Sequence, residues 1–166
     1  MPFSIEEINH FGQEQFIETV GWVFEHSPWV AERVWHRRPF LSCAQMCERM
    51  NGEVEAASME ERLALLRAHP DLGTRAKISP GSAGEQAGEG LDRLTSDEYT
   101  RLIRLNTAYR EKFGFPFLYA VKGSGKSAIL EALERRLNCD RDDEFREALR
   151  QVYRIARFRL ENIVNR

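Results

Sequence analysis

The sequence predicts an all-α fold, a compact single-domain bundle of roughly seven to nine helices. Three observations support this prediction. Apolar residues recur at helical spacing along most of the 166 residues, two short motifs have the composition of helix capping boxes, and only the run FPFLYAV at Phe115–Val121 reads as a possible strand. A sheet needs several strands, so we expect this run to be extended and buried. The length fits one domain over residues 1–166.

The N-terminal part is predicted to form several short helices. Ser4, followed by two glutamates, starts the first, and apolar spacing predicts another over about 13–24. Pro28 interrupts the chain and stands at an allowed first-turn position of the next helix, whose apolar face continues to Pro39. Sulfur-containing residues then repeat the helical spacing, and we expect Asn51-Gly52 to weaken that helix.

The remaining helices are marked mainly by their starts. Ser58–Glu61 and Thr95–Glu98 are capping boxes, in which the first side chain accepts a free amide and the glutamate returns the bond. Between them, the stretch from Asp71 to about Gly90 has no clear period and holds five glycines. A loop this long inside a compact domain is usually functional or disordered. Two more helices are expected over about 126–137 and 142–164.

Composition and charge narrow the class of protein. The net charge of −2 argues against nucleic acid as the main partner, because such proteins usually carry a concentrated basic surface. No apolar run approaches the roughly 18 residues of a membrane span. The N-terminus does not read as a secretory signal, and the C-terminus is not a peroxisomal address. We expect a soluble cytoplasmic protein.

The three cysteines do not form a disulfide framework. Cys43 and Cys47 are four residues apart in a helical pattern, so they could share a metal ion. A tetrahedral zinc site needs further ligands, and no second Cys or His pair follows at suitable spacing. We expect small buried residues and no metal site.

The segment GSGKS at Gly123–Ser127 resembles the end of a phosphate-binding loop. The first glycine of the full motif would fall on Ala120, and no later strand is present to supply a magnesium ligand. We therefore expect a turn leading into a helix, whose free amides attract acceptors. A small nucleotide-binding or kinase-like protein remains the alternative.

Two inward-pointing polar residues are candidates for chemistry. The helix before His69 should stop there, since the residue preceding Pro70 is pushed out of helical geometry. Leu63, Leu66 and His69 share one face, so the imidazole should lean inward and could exchange a proton near neutral pH. A structural, hydrogen-bonded histidine is the other interpretation.

Arg159 falls inside the apolar stripe of the last helix and needs an anion or several acceptors, because an unpaired buried charge is very costly. A structural salt bridge and a clamp on a carboxylate or planar amide both remain open.

Taken together, the motifs resemble those of the OHCU decarboxylases. These enzymes act on 2-oxo-4-hydroxy-4-carboxy-5-ureidoimidazoline (OHCU), a late intermediate of urate breakdown, and give (S)-allantoin. The resemblance is carried, in order, by Glu25–Ala31, His69–Gly73, Ser82-x-x-Glu85-Gln86 with Gly90-Leu91, Lys112–Phe117 and Arg159-Leu160.

The resemblance implies a dimeric, all-helical carboxy-lyase of purine catabolism that uses no cofactor. It implies that His69 is the catalytic acid/base and that Glu85 and Arg159 orient the substrate and stabilise developing charge. The implied substrate-binding residues are Pro70, Ser82, Gln86, Tyr119, Ala120, Val121, Lys122 and Gly123. Tyr119 departs from the smaller aliphatic residue expected there. A non-enzymatic helical interaction module is the second alternative.

Overall fold

The computed structural model describes residues 2–73, 85–91 and 93–165. The all-α prediction is confirmed. Eight α-helices have both ends among these residues: α1 Ile5–Asn9, α2 Gln13–Val20, α3 Trp29–Val34, α4 Cys43–Glu55, α5 Met59–Arg67, α6 Ser96–Phe113, α7 Gly125–Arg136 and α8 Arg141–Ile163. A ninth helical segment lies at 85–88. Within the described ranges there is no strand, and one isolated parallel bridge joins Phe3 and Val164.

Local capping sets three of the helix starts. Ser4, Ser58 and Thr95 each accept a hydrogen bond from the backbone amide three residues later, at 3.0, 3.1 and 3.1 Å. In all three cases the glutamate at that later position accepts the amide of the capping residue. Both predicted boxes are confirmed, and the helix start predicted at Ser4 is a third box.

Two boundaries differ from the sequence prediction, and the pair expected to weaken one helix lies inside a continuous helix. Helix α4 continues past Asn51-Gly52 to Glu55, because Met50 and Val54 on either side are fully buried and the gain from burying them outweighs the cost of one glycine. The helix predicted over 13–24 ends at Val20 and gives way to a 3₁₀ turn at Gly21–Val23. Pro28 immediately precedes α3 instead of lying in its first turn.

Packing divides the chain into two compact units, Met1–Ala68 with Val152–Arg166, and His69–Gln151. The first unit has a core that includes fully buried Phe16, Met46, Met50, Leu65 and Leu66. The second has an aromatic core in which Tyr109 contacts Phe113, Phe115 and Phe117, with ring centroids 4.5, 6.1 and 5.4 Å away. The single domain over residues 1–166 stays a prediction.

Candidate active site

The predicted inward orientation of His69 is confirmed. Helix α5 ends at Arg67, Ala68 is its C-cap, and His69 follows with only 6 % of its surface exposed. The buried residues of α5 are Leu65 and Leu66, whereas Leu63, which was expected on the same face, is only half-buried. Pro70 is also half-buried. The histidine therefore stands at the end of a helix and at the start of a turn.

The turn that follows His69 is held by Gln86. The backbone amide of Gly73 donates to the Gln86 side-chain oxygen over 2.8 Å, and both groups are buried. Gly73 has a φ of 69°, and a Cβ added there would lie 2.3 Å from Leu102 Cδ2. A side chain at this position would require Leu102 to shift and would hold the backbone in a left-handed conformation that residues other than glycine rarely adopt. Two segments assigned by the family resemblance, His69–Gly73 and Glu85-Gln86, are thus directly bonded.

Helix α6 adds two further bonds to the same turn. Asn106, which is buried, donates from Nδ2 to the carbonyl of Leu72 over 3.0 Å. Arg110 forms an ion pair with Asp71 at 2.8 Å. Each residue from Asp71 to Gly73 is therefore tied to a different side chain, and the geometry of the turn beside His69 is strongly determined.

The 85–88 segment carries two of the predicted site residues. Gln86 is buried, and its oxygen is the acceptor already described. Glu85 is half-buried. Ser82 lies outside the described residues. The position of Gln86 gives it a role in holding the His69 turn, and its contact with substrate stays a prediction.

The run Phe115–Val121 is buried apart from the half-buried Tyr119 and has no regular secondary structure, as predicted. Two of its backbone groups are hydrogen-bonded to side chains. Arg136 donates from Nη1 to the carbonyl of Leu118 over 2.6 Å, and Gln151 accepts from the amide of Ala120 over 2.8 Å. A buried segment outside helices and sheets needs such partners, since unpaired backbone groups are costly. These bonds fix the backbone at Leu118 and Ala120, and so position the segment that continues to Gly123.

Arg136 belongs to a buried ionic network. Its Nε lies 2.5 Å from Glu144 Oε1, and the hydroxyl of Tyr109 donates to the same carboxylate over 2.7 Å. The guanidinium also lies 4.6 Å from the centre of the Phe117 ring. Burial, and then the hydrogen bond to Glu144, raise the pKa of Tyr109. No local sequence pattern pointed to these residues.

The predicted substrate residues from Tyr119 to Gly123 have different environments. The Tyr119 hydroxyl lies 3.2 Å from Ser124 Oγ, and its ring stacks on Phe117 with centroids 5.9 Å apart. Ala120 and Val121 are buried, whereas Lys122 and Gly123 are exposed. The Tyr119 side chain is therefore turned toward the GSGKS turn.

Two carboxylates of the chain accept hydrogen bonds from the donors of the GSGKS turn. Gly123 and Gly125, with φ of 82° and 73°, donate their amides to the two oxygens of Glu89 over 2.6 and 2.8 Å. The amides of Gly123, Gly125 and then Ser124 lower the pKa of Glu89. Lys126 donates to Glu98 over 2.8 Å. The amides and the lysine that a phosphate loop would offer are thus engaged internally.

Arg159 is buried in an ion pair. Its Nη1 lies 3.0 Å from Glu25 Oε2, and the two side chains are 3 % and 1 % exposed. The same nitrogen donates to the carbonyl of Trp22 over 3.2 Å. The salt bridge expected as one interpretation is present. Glu25 had no assigned role in the sequence, although it opens the family-like segment Glu25–Ala31. The contact of Arg159 with substrate, and the meeting of His69, Glu85 and Arg159 around it, stay predictions.

The two cysteines of α4 lie at different depths. Cys47 is buried as expected, and Cys43 is half-buried. A hydrogen bond with Cys43, and then burial, raise the pKa of Cys47.

In the described ranges no three His, Cys, Asp or Glu side chains cluster as metal ligands would. Among the helices of those ranges, none is both long and apolar enough to cross a membrane.

Residues 9–161 match the OHCU decarboxylase family. The chain is 45 % identical over 157 residues to a 2-oxo-4-hydroxy-4-carboxy-5-ureidoimidazoline decarboxylase of Haloferax volcanii, covering 95 % of this chain and 94 % of the relative. The chain belongs to the OHCU decarboxylase family.

Two further comparisons agree with this assignment. The uric acid degradation bifunctional protein PucL of Bacillus subtilis is 43 % identical over 98 % of this chain, which spans 33 % of that longer protein. A crystal structure of (S)-allantoin synthase superposes with a TM-score of 0.81 at 30 % identity, covering 98 % of this chain and 54 % of the other.

Proposed function

We propose that this protein is a carboxy-lyase that converts OHCU to (S)-allantoin in urate degradation. The observation that carries the proposal is the bond between two family motifs: the turn that begins at buried His69 is held at Gly73 by Gln86. This bond supports a built site at His69, in a chain that matches the family over residues 9–161.

The chemistry needs an electron sink and one directed proton. Loss of carbon dioxide leaves electron density on the carbon that carried the carboxylate. The conjugated C=N and C=O groups of the substrate ring can accept this charge, so the substrate supplies its own sink. The proposed reaction therefore uses neither a metal ion nor an organic cofactor. The hydroxyl on the carbon that loses carbon dioxide then gives up its proton and becomes a ring carbonyl, while the neighbouring ureido-bearing carbon gains a proton. The protein has to stabilise the developing charge and deliver this proton to one face of the ring.

His69 is the proposed acid/base. It would take the proton of the substrate hydroxyl or deliver the proton to the ureido-bearing carbon. Such proton transfer by a positioned imidazole typically contributes about 10²–10⁴-fold to the rate. The turn after His69 is held by Gln86, Asn106 and Arg110, so its backbone position is defined before substrate binds. This preorganisation is what a directed proton transfer requires.

Arg159 and Glu85 are the proposed charged partners of the substrate. Arg159 stabilises negative charge on the ring oxygens, and its ion pair with Glu25 fixes the direction of the guanidinium. Glu85 binds the substrate hydroxyl or a ureido N–H. Ser82 and Gln86 position the ureido and ring amides. Pro70, Tyr119, Ala120, Val121, Lys122 and Gly123 line the site.

We further propose that the enzyme works as a cytoplasmic homodimer, as its family resemblance implies. Light scattering coupled to gel filtration tests the assembly: the expected mass is twice the 19.3 kDa of one chain. A monomer mass at assay concentrations would overturn this part of the proposal and leave the proposed reaction unaffected.

The reaction is tested with freshly generated OHCU and circular dichroism, which follows the appearance of optically active allantoin. We expect rapid formation of the (S) product, unchanged by EDTA, and a large loss of rate in Glu85→Gln. Product without optical activity, or a rate no faster than the uncatalysed reaction, would contradict the proposed function. Loss of activity in EDTA with recovery on adding metal would contradict its cofactor-free mechanism.

A further inference from the structure

Glu89 joins two segments that are far apart in sequence. It follows the helical segment 85–88, and its two carboxylate oxygens accept the amides of Gly123 and Gly125, 34 and 36 residues away. The turn that it binds has two glycines with left-handed φ values, so both amides point to one side. The carboxylate therefore joins these two segments through hydrogen bonds that the local sequence does not predict.

Hydrogen bonds made by Gln86 and by Glu89 connect the segment 85–89 to two other parts of the chain. At one end, Gln86 holds the amide of Gly73 in the turn that begins at His69. At the other end, Glu89 holds the turn that contains Gly123 and adjoins Lys122. Glu85 immediately precedes Gln86 in the same segment. One short segment thus links three groups of residues that are assigned to the substrate site.

We propose that Glu89 is a positioning residue, which fixes the 122–125 turn relative to Glu85 and Gln86 so that both can contact one substrate. This inference rests on the proposed decarboxylase function. Glu89 acts through the backbone that it holds, and it is assigned no contact with the substrate.

Two physical features make this carboxylate suited to the role. The amides that it accepts lie at the start of α7, where the helix dipole favours a negative charge. Glycine leaves the backbone of residues 123 and 125 with many accessible conformations, so the turn needs an external partner to keep one of them. Nothing within 4 Å would contact a Cβ at either glycine, so side-chain packing does not restrain the turn there.

The test compares Glu89→Gln with Glu98→Gln in the full-length protein. Both substitutions remove one carboxylate beside the same turn, but Glu98 binds the Lys126 side chain and none of the turn amides. For Glu89→Gln we expect KM for OHCU to rise about tenfold or more, with kcat per folded enzyme changed less than about threefold. We expect Glu98→Gln to keep the wild-type KM.

Two further variants separate positioning from a general effect on folding. Glu89→Asp keeps the charge on a shorter side chain and should give an intermediate KM. Glu89→Ala empties the anion position, and excess formate should then lower its KM toward the wild-type value, because amides at a helix start bind small anions. Hydrogen exchange at Gly123 and Gly125 should be slow in the wild type and faster in Glu89→Gln.

The results distinguish this inference from the function on which it rests. A wild-type protein that does not convert OHCU would overturn both. An active wild type with an unchanged KM in Glu89→Gln, or a Glu89→Ala variant that formate does not rescue, would overturn the positioning role alone. A fall in kcat that only follows the folded fraction would assign Glu89 to stability and would also overturn it.

Discussion

Breaking the buried ion pair between Arg136 and Glu144 by removing one partner should strongly destabilise the protein. Arg136→Met keeps much of the side-chain volume and removes the charge. It leaves the Glu144 carboxylate, which is 2 % exposed, with the Tyr109 hydroxyl but without its cation. It also removes the donor to the carbonyl of Leu118.

The expected cost follows from this geometry. Removing one partner of a buried pair typically costs about 3–5 kcal/mol, because the remaining charge is left in a poorly solvated site. For a chain of this length each kcal/mol lowers the melting temperature by about 2–4 °C, so we expect a fall of roughly 6–20 °C. Tyr109→Phe removes only one hydrogen bond to a charged group and should cost about 1.5–3 kcal/mol.

Urea denaturation followed by circular dichroism measures these free energies. Arg135→Met is the matched control, because Arg135 is the neighbouring residue of α7 and is exposed. Its expected effect is within about 0.5 kcal/mol. The double variant Arg136→Met/Glu144→Met should lose less stability than the sum of its single variants, since no unpaired charge is left. A cost below about 1 kcal/mol for Arg136→Met would refute the reasoning.

Three further predictions concern Arg159, Gly73 and Glu98. Arg159→Met breaks the buried pair with Glu25 and should cost about 3–5 kcal/mol, whereas Arg159→Lys should stay folded but raise KM for OHCU about tenfold. Gly73→Ala should cost roughly 2–4 kcal/mol, because its Cβ would clash with Leu102 and its backbone is left-handed. Lys126, and then the Thr95 amide, lower the pKa of Glu98, so its stabilising contribution is present above the unfolded pKa and is lost as the pH falls below about 4.3.

Each of these predictions has its own control. Unchanged KM in folded Arg159→Lys would assign that arginine to structure alone. Gly52→Ala, at a helical glycine with nothing within 4 Å of its Cβ, should be neutral or stabilising; equal losses at both glycines would contradict the steric argument. Urea midpoints between pH 3 and 6 should fall less steeply in Glu98→Gln than in the wild type, and parallel curves would contradict the assigned role of Glu98.

The features that could be predicted from the sequence are those set by residues close together in the chain. The capping boxes at Ser58 and Thr95 need only a side chain and an amide three residues apart. A sequence of four residues is therefore enough to predict each of them. The inward orientation of His69 follows from helical spacing and from Pro70, and that of Arg159 follows from its place in the apolar stripe of α8. Periodicity predicts which side chains are buried.

Periodicity does not predict what a buried charge will contact. The carboxylate that pairs with Arg159 is 134 positions earlier, at Glu25, and the acceptor of the Arg136 Nη1 group is a carbonyl in a segment without regular structure. The GSGKS turn was correctly expected to lead into a helix, but nothing local indicated that Glu89 would occupy its amides. Such pairings depend on how distant segments pack.

The continuous helix at Asn51-Gly52 has a related cause. Local propensity marks the pair as a weak point of the helix, whereas buried Met50 and Val54 on the same helix favour its continuation. Burying one such side chain stabilises by about 1.5–3 kcal/mol, which exceeds the cost of roughly 1 kcal/mol for a helical glycine. Tertiary packing therefore overrode the local signal.

The most direct test of the proposed function is the rate of (S)-allantoin formation by wild type and His69→Asn, measured by circular dichroism with freshly generated OHCU. The wild type should form the optically active product rapidly. The variant, shown to be folded by its far-ultraviolet spectrum and melting temperature, should be slower by about 10²–10⁴-fold. A folded variant that turns over at a near-wild-type rate would show that His69 does not move the proton, and the proposed mechanism would then be wrong.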